Sequence, residues 1–257
     1  MTEGGGSFPY RRIVDDLRAE IAAGRRAPGE RLPSEHDLAA QYAASRPTVR
    51  RAIAVLKAEG LVVSEQGRGM FVRSTPHVRL LLSGANYRKH RNAGLPGFNA
   101  QVREQGQVPE QRLLDVITIP ASSEIAQRLN LAEDEQVVVR KRLFMINGQP
   151  VAFCDSYYAE AMVRGTAITQ LRRIKGGVNG LIEDSAGPIR RRLARSVDEL
   201  SARMPSRNEL DGLQLATGVP VVDIVRTVYD TNGNPVEVQH TVAAADRHQF
   251  QYEVSMT

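Results

Sequence analysis

Near the start of the chain, apolar residues recur every four positions. Ile13, Leu17 and Ile21 form a stripe between Tyr10 and Ala23, which predicts an amphipathic helix. Gly24 ends it, and Pro28-Gly29 marks a turn. Leu32-Pro33-Ser34-Glu35 then opens a second helix, expected to run to about Ala44. Ser34 is a natural N-cap, Glu35 sits in the first turn, and Asp37 stands where a capping-box acid reaches back. Ser45 caps a third helix, with Pro47 in its first turn and Gly60 at its close. Its apolar face is Val49, Ala52, Ile53 and Leu56; Arg50, Arg51 and Ala54 point the other way. Two short β-runs follow, Leu61 to Ser64 and Met70 to Val72, around the basic tip Gln66-Gly67-Arg68-Gly69. Residues 73 to 96 show no period and read as a linker that carries Arg79, Arg88, Lys89, His90 and Arg91.

The rest of the chain repeats itself. From Ser122 to Val151 the order is capped helix, β-run, Asn147-Gly148-Gln149-Pro150-Val151, β-run. From Ser206 to Val236 it is capped helix, Thr217-Gly218 turn, β-run, Asn232-Gly233-Asn234-Pro235-Val236, β-run. Gly148 and Gly233 lie 85 positions apart, as do Pro150 and Pro235. Two helix–hairpin units predict an α+β domain built on an antiparallel, pseudo-symmetric sheet.

Composition narrows the function. The 257 residues suffice for two domains, divided here as 1–73, a linker at 74–96, and 97–257. A net charge of +5 favours a polyanionic partner. Arginine supplies nearly all of the basic residues, since lysine occurs only at 57, 89, 141 and 175. Its planar fork suits phosphate and guanine. The single cysteine, Cys154, excludes an intramolecular disulfide and a cysteine metal cluster. No signal peptide and no apolar run of ~20 residues is evident, so the expectation is a cytoplasmic protein with no membrane partner.

Three helices and a basic hairpin within about 65 residues follow the plan of a winged helix-turn-helix. Arg46, near the start of the third helix, Arg50 and Arg51 are then the candidates for the major groove. Arg68, between two glycines, is the candidate for an adjacent minor groove. The free N–H groups at Ser34 and Ser45 can receive phosphate oxygens.

Residues 8 to 73 resemble the N-terminal domain of the GntR family of bacterial regulators. The resemblance is carried by Tyr10, Ile13, Leu17, Ile21, Gly24, Pro28-Gly29, Arg31-Leu32-Pro33-Ser34-Glu35, Leu38-Ala39, Tyr42, Ser45-Arg46, Thr48-Val49-Arg50, Ala52, Leu56, Glu59-Gly60-Leu61, Gly67-Arg68-Gly69 and Phe71-Val72. It implies a homodimer on a palindromic, double-stranded operator. It also implies DNA contacts at Arg46, Thr48, Arg50, Gly67 and Arg68, with Ser34, Glu35, His36 and Arg51 at the same surface. His36 stands where the family usually carries arginine.

Residues 95 to 254 resemble the effector domain of the HutC subfamily, called UTRA, which has a chorismate-lyase-like fold. The carriers include Val139-Arg140-Lys141-Arg142-Leu143, Asn147-Gly148-Gln149-Pro150-Val151, Ser156-Tyr157, Pro235-Val236-Glu237 and Asp246-Arg247 with Phe250. The resemblance implies that Arg140, Arg142 and Glu237 contact a small effector, phosphorylated or carboxylated. Guanidinium groups at i and i+2 on a strand share a face and form a forked anion receptor. The other reading is a structural ion pair of these arginines with carboxylates such as Glu237. The chain departs from the subfamily at Cys154, where an acid is usual, at Gly180, where a hydroxyl residue opens the middle helix with Asn179 as a substitute cap, and at Ala243, where an aromatic is usual. A repressor that works without effector, as in plasmid transfer or maintenance, is the alternative.

Little supports catalysis. No nucleophile elbow, P-loop or HxxxH pair is present, and His36, His77, His90, His240 and His248 are scattered. Cys154 lies in a β-run and reads as a small packing residue. The expectation is a DNA-binding regulator with no enzymatic activity, no metal and no cofactor.

Overall fold

A computed structural model describes residues 9–65, 67–73, 78–82, 97–216 and 218–253. Gln66 at the hairpin tip, linker positions 74–77 and 83–96, and Thr217 of the second turn lie outside the described residues. The chain divides into two compact units, Met1–Thr75 with Gln214–Val219, and Pro76–Leu213 with Pro220–Thr257. Among the described residues, no helix is long and apolar enough to cross a membrane.

The first unit contains α1 (Pro9–Ala22), α2 (Glu35–Gln41), α3 (Arg46–Ala58) and a hairpin of β1 (Val62–Glu65) and β2 (Gly69–Val72). Its core joins the stripes read from the sequence: Ile13 and Leu17 meet Leu38, Val49, Ala52, Ile53 and Leu56, with Val62 and Val72 beneath the hairpin. Each Val, Leu or Ile side chain among them, fully buried, contributes about 1.5–3 kcal/mol. Ser34 and Asp37 form the expected capping box. The helix stops earlier than expected, however: Tyr42 is its C-cap and Ala43 turns left-handed at φ 48°. Arg18 ties α1 to the end of α3, donating to Glu59 at 2.6 and 3.2 Å. The 29–32 segment lies along the hairpin's edge, where Leu32 N donates to the Met70 carbonyl at 2.8 Å and Val72 N to that of Glu30 at 2.8 Å.

The second unit is built on a six-stranded antiparallel sheet. Its strands are β4 (Pro109–Pro120), β5 (Gln136–Ile146), β6 (Gln149–Ala159), β7 (Leu193–Arg203), β8 (Val221–Asp230) and β9 (Pro235–Ala244). Their order is β4-β5-β6-β9-β8-β7, so two three-stranded halves meet at the β6–β9 junction. Each half is strand, short helix and hairpin. The helices are α5 (Ser123–Leu129), capped by Ser122, and α8 (Arg207–Gly212), capped by Ser206. The repeat therefore extends one strand further back than the helix–hairpin units read from the sequence. The first hairpin closes on the two-residue turn Asn147-Gly148, at φ 51° and 77°, with Ile146 paired to Gln149. Both residues need positive φ, which is why Asn-Gly stands there. In the second half, Glu209 bonds Ser206 and Arg203, and the Arg203 guanidinium draws its pKa down to about 2.

Both faces of the sheet are covered. On one, Val137, Val139 and Val238 pack under Ile125 and Leu129 of α5. On the other, α4 (Gly97–Glu104) covers one end, with Phe98 and Val102 over Phe144, Ala152, Cys154 and Ala243. At the opposite end, Val138, Tyr158, Leu193 and Val236 meet Val163 of α6 (Glu160–Val163), Ile168 of the 3-10 turn Ala167–Thr169, and Ile182 of α7 (Gly177–Glu183). Part of the expected linker is ordered differently: β3 (Val78–Leu82) pairs in parallel with β10 (His248–Tyr252), and Val78 is fully buried in the second unit. Parallel pairing across such a sequence distance leaves no local signal. α7 also corrects the expected cap, since it opens at Gly176 without a side-chain cap rather than on Asn179.

Candidate nucleic-acid interface and effector site

The polar side of α3 is open. Val49, Ala52, Ile53 and Leu56 are buried, while Arg46, Arg50 and Arg51 are exposed. The Ser45 hydroxyl accepts from Thr48 N at 3.3 Å, and the Ser45 and Thr48 hydroxyls lie 2.8 Å apart. The first turn of α3 is thereby fixed, with Arg46 beside it.

Two contacts join the arginines of α3 to the first turn of α2. The Arg50 guanidinium donates to Glu35 at 3.2 Å, and an Arg46 nitrogen lies 3.4 Å from Nδ1 of His36. Ser34, Glu35, His36, Arg46, Thr48 and Arg50 thus form one surface across the helix pair. The Arg50 side chain remains 70 % exposed in its pair with Glu35. An exposed pair of this kind contributes about 0–1 kcal/mol, so it is broken at little cost.

Arg51 is exposed, as its side of the helix requires, and its guanidinium lies over the Tyr10 ring, 4.2 Å from the centroid. At the hairpin tip, Gly67 takes φ 73° with nothing within 4 Å of where a Cβ would stand. Arg68 is exposed, with its guanidinium 5.5 Å from the Phe71 ring centre. The glycine allows the tight turn and a close backbone approach.

In the second unit, a polar stripe separates the two apolar ends of one sheet face. Arg140 and Arg142 do share that face, as their spacing on β5 requires. They are not a fork, however. Arg140 is 4 % exposed and donates to the carbonyls of Ile168 and Gln170 at 2.8 and 2.9 Å and of Arg172 at 2.9 Å. Burial lowers its pKa. It fastens the 3-10 turn to the sheet, a role that backbone acceptors far along the chain give it and that its spacing cannot reveal.

Arg142 differs. Its guanidinium donates to the Ser156 hydroxyl and to the Cys154 thiol, the latter at 3.1 Å, and its Nε is buried without a partner. Burial opposes its charge, but the acidic groups around it, Glu237 and Asp155 among them, outweigh that and raise its pKa. Glu237 accepts from the Tyr158 hydroxyl at 2.7 Å and is 6 % exposed. Burial, reinforced by Glu237, holds the Tyr158 phenol well above its ordinary pKa, so it stays a donor. Among the described residues, neither Arg140 nor Arg142 forms an ion pair with Glu237, so the expected structural pair is not what holds them.

The sequence reading missed several neighbours. Tyr158 lies two positions from Ser156 on β6, so the alternation of buried Cys154, Ser156 and Tyr158 marked it. On the far side of the stripe, Gln239 donates to Ser156 at 3.5 Å and Thr241 to Cys154 at 3.5 Å. Arg226 is neutralised by a two-pronged pair with Asp198 at 2.6 and 2.7 Å. The departures from the subfamily also find places: Cys154 is the fully buried thiol beside Arg142, and Ala243 packs under α4. Burial raises the Cys154 pKa, which keeps it a thiol.

Comparison with known proteins matches residues 9–72 to bacterial regulatory proteins of the gntR family and residues 104–249 to the UTRA domain. An HTH-type transcriptional regulator of Streptomyces coelicolor is 32 % identical over 250 residues, covering 95 % of this chain and 91 % of its own. The HTH-type transcriptional repressor NagR of Bacillus subtilis is 29 % identical over 242 residues, covering 94 % and 92 %. In structure, PhnF from Mycobacterium smegmatis matches with a TM-score of 0.61 at 19 % identity, over 95 % of this chain and all of its own, which bears on the fold alone.

Proposed function

Because the chain belongs to the GntR family and carries its UTRA domain, we propose that it is a cytoplasmic repressor that holds a palindromic operator as a homodimer and releases it to a small effector bearing an acidic group. It is a transcription regulator rather than an enzyme, with DNA bound through the helix-turn-helix and a small molecule received by the UTRA sheet.

The observation that carries the DNA half is the exposed surface formed by α3 and the first turn of α2. Arg46 and Arg50 present donor forks to base edges, Thr48 and the N-terminal N–H groups at Ser34 and Ser45 face phosphates, and the Gly67-Arg68 tip reaches the adjoining groove. Two-fold related copies would set two such surfaces roughly 34 Å apart, one turn of DNA. Repression is favoured by the name of NagR. For the effector half the support is Arg142, a buried cation with no carboxylate against it.

The test is recovery of genomic fragments bound by the full chain, followed by footprinting. The expected footprint has two inverted half-sites one helical turn apart. A single unsymmetrical footprint would sink the palindromic reading. One observation favours an effector-independent repressor, the commitment of Arg140 to three backbone carbonyls. That reading requires operator affinity to stay constant with every small molecule tried.

A further inference from the structure

The stripe between β5, β6 and β9 buries two opposite charges, each in the other's field, that form no contact ion pair among the described residues. Arg142 reaches only a hydroxyl and a thiol, both uncharged, and keeps one N–H unbonded. Glu237 receives only the neutral phenol of Tyr158. The other two guanidinium groups on this face are spent, Arg140 on three carbonyls and Arg226 on Asp198.

Geometry separates the two charges without isolating them. Arg142 is anchored at Ser156 and Glu237 at Tyr158, two residues further along β6 on the same face. That step is about 7 Å. A buried ion without a counter-charge is costly, and the cost is recovered only when a partner of opposite sign arrives. Here two such partners are called for, one of each sign, within the span of one small molecule.

Resting on the reading of this face as the effector site, we propose that the effector is a zwitterion. Its single-charged acid, a carboxylate, meets Arg142, and its ammonium or other cationic N–H donor meets Glu237. A phosphate dianion would bring a second negative charge beside Glu237 with one guanidinium to balance it. A plain carboxylate leaves Glu237 buried without an ionic partner in contact, and a plain amine leaves Arg142 so.

The experiment measures binding to the full chain by calorimetry and thermal shift. The probes are glycine, 4-aminobutyrate and 6-aminohexanoate, with butyrate, hexanoate and hexylamine as singly charged counterparts, and inorganic phosphate and glucose 6-phosphate as dianions. At least one amino acid should bind about tenfold or more tightly than both of its singly charged counterparts and either phosphate. In Glu237→Gln the advantage of that amino acid over the matching carboxylate should disappear. The wild-type comparison stands alone if this variant does not fold. Hexanoate equal to 6-aminohexanoate, or a phosphate tighter than every amino acid, overturns the zwitterion. If such binding is still lost in Arg142→Gln, the effector site itself survives. No Arg142-dependent binding by any probe overturns both.

Discussion

Arginine does opposite work in the two units. On α3 it is exposed: Arg50 keeps 70 % of its side chain in solvent and leans on Glu35 through a pair worth little. On the sheet it is buried and committed, as Arg140 is to three carbonyls at 4 % exposure. An exposed guanidinium is available to a polyanion and costs little to redirect. A buried one must be satisfied in the folded state, so it becomes scaffold, like Arg140 and Arg226, or is left with uncharged partners, like Arg142. The residue type alone does not say which; burial and partners do.

The sharpest way to break this contrast is Arg140→Ala. Three carbonyls would lose their donor and a buried charge its site, and the second unit should lose about 3–5 kcal/mol in chemical denaturation. A loss under ~1 kcal/mol would show that Arg140 is not scaffold. Next comes Arg50→Ala, which should weaken specific operator binding about 10–100-fold in fluorescence anisotropy while leaving the melting temperature of the first unit unchanged. Unchanged affinity would refute the placement of α3 at the bases. Ser34→Ala removes one partner of the capping box and should cost about 1 kcal/mol of stability in the first unit, read from its thermal transition. The smallest effect, opposite in sign, is Glu35→Gln. With the competing carboxylate gone, DNA affinity should rise by no more than about fivefold, and more at low salt than at high. A marked fall would mean that Glu35 orients Arg50 rather than restrains it.

Local chemistry was legible and distant chemistry was not. The Ser34–Asp37 box, the Ser45 cap with Pro47, and the Asn147-Gly148 turn each act within four residues, and each appears where the sequence placed it. The duplicated hairpins showed through their turns. The edge strands β4 and β7 did not, because their irregular exposure blurs the alternation that marks a strand. The pairing of β3 with β10 joins residues on opposite ends of the second unit, and no nearby pattern announces it. At the sites, the faces of Arg50 and Arg142 followed from helix and strand periodicity, and Glu237 from the family resemblance. The attachment of Arg140 to the 3-10 turn and of Arg51 to Tyr10 did not, since each depends on a partner that only the folded chain brings near.

The halves of the large sheet are joined along one line, and it is the shortest ladder there: six residue pairs, Ala152↔Ala243 to Tyr157↔Val238. Cys154 and Ser156 stand on one side of that line, Gln239 and Thr241 on the other, with Tyr158 and Glu237 continuing the same crossing. A molecule bound beside Arg142, as proposed, would therefore touch both copies of a duplicated motif where their shared ladder is shortest. A molecule of a few heavy atoms can in that way govern the fit between two pieces many times its size.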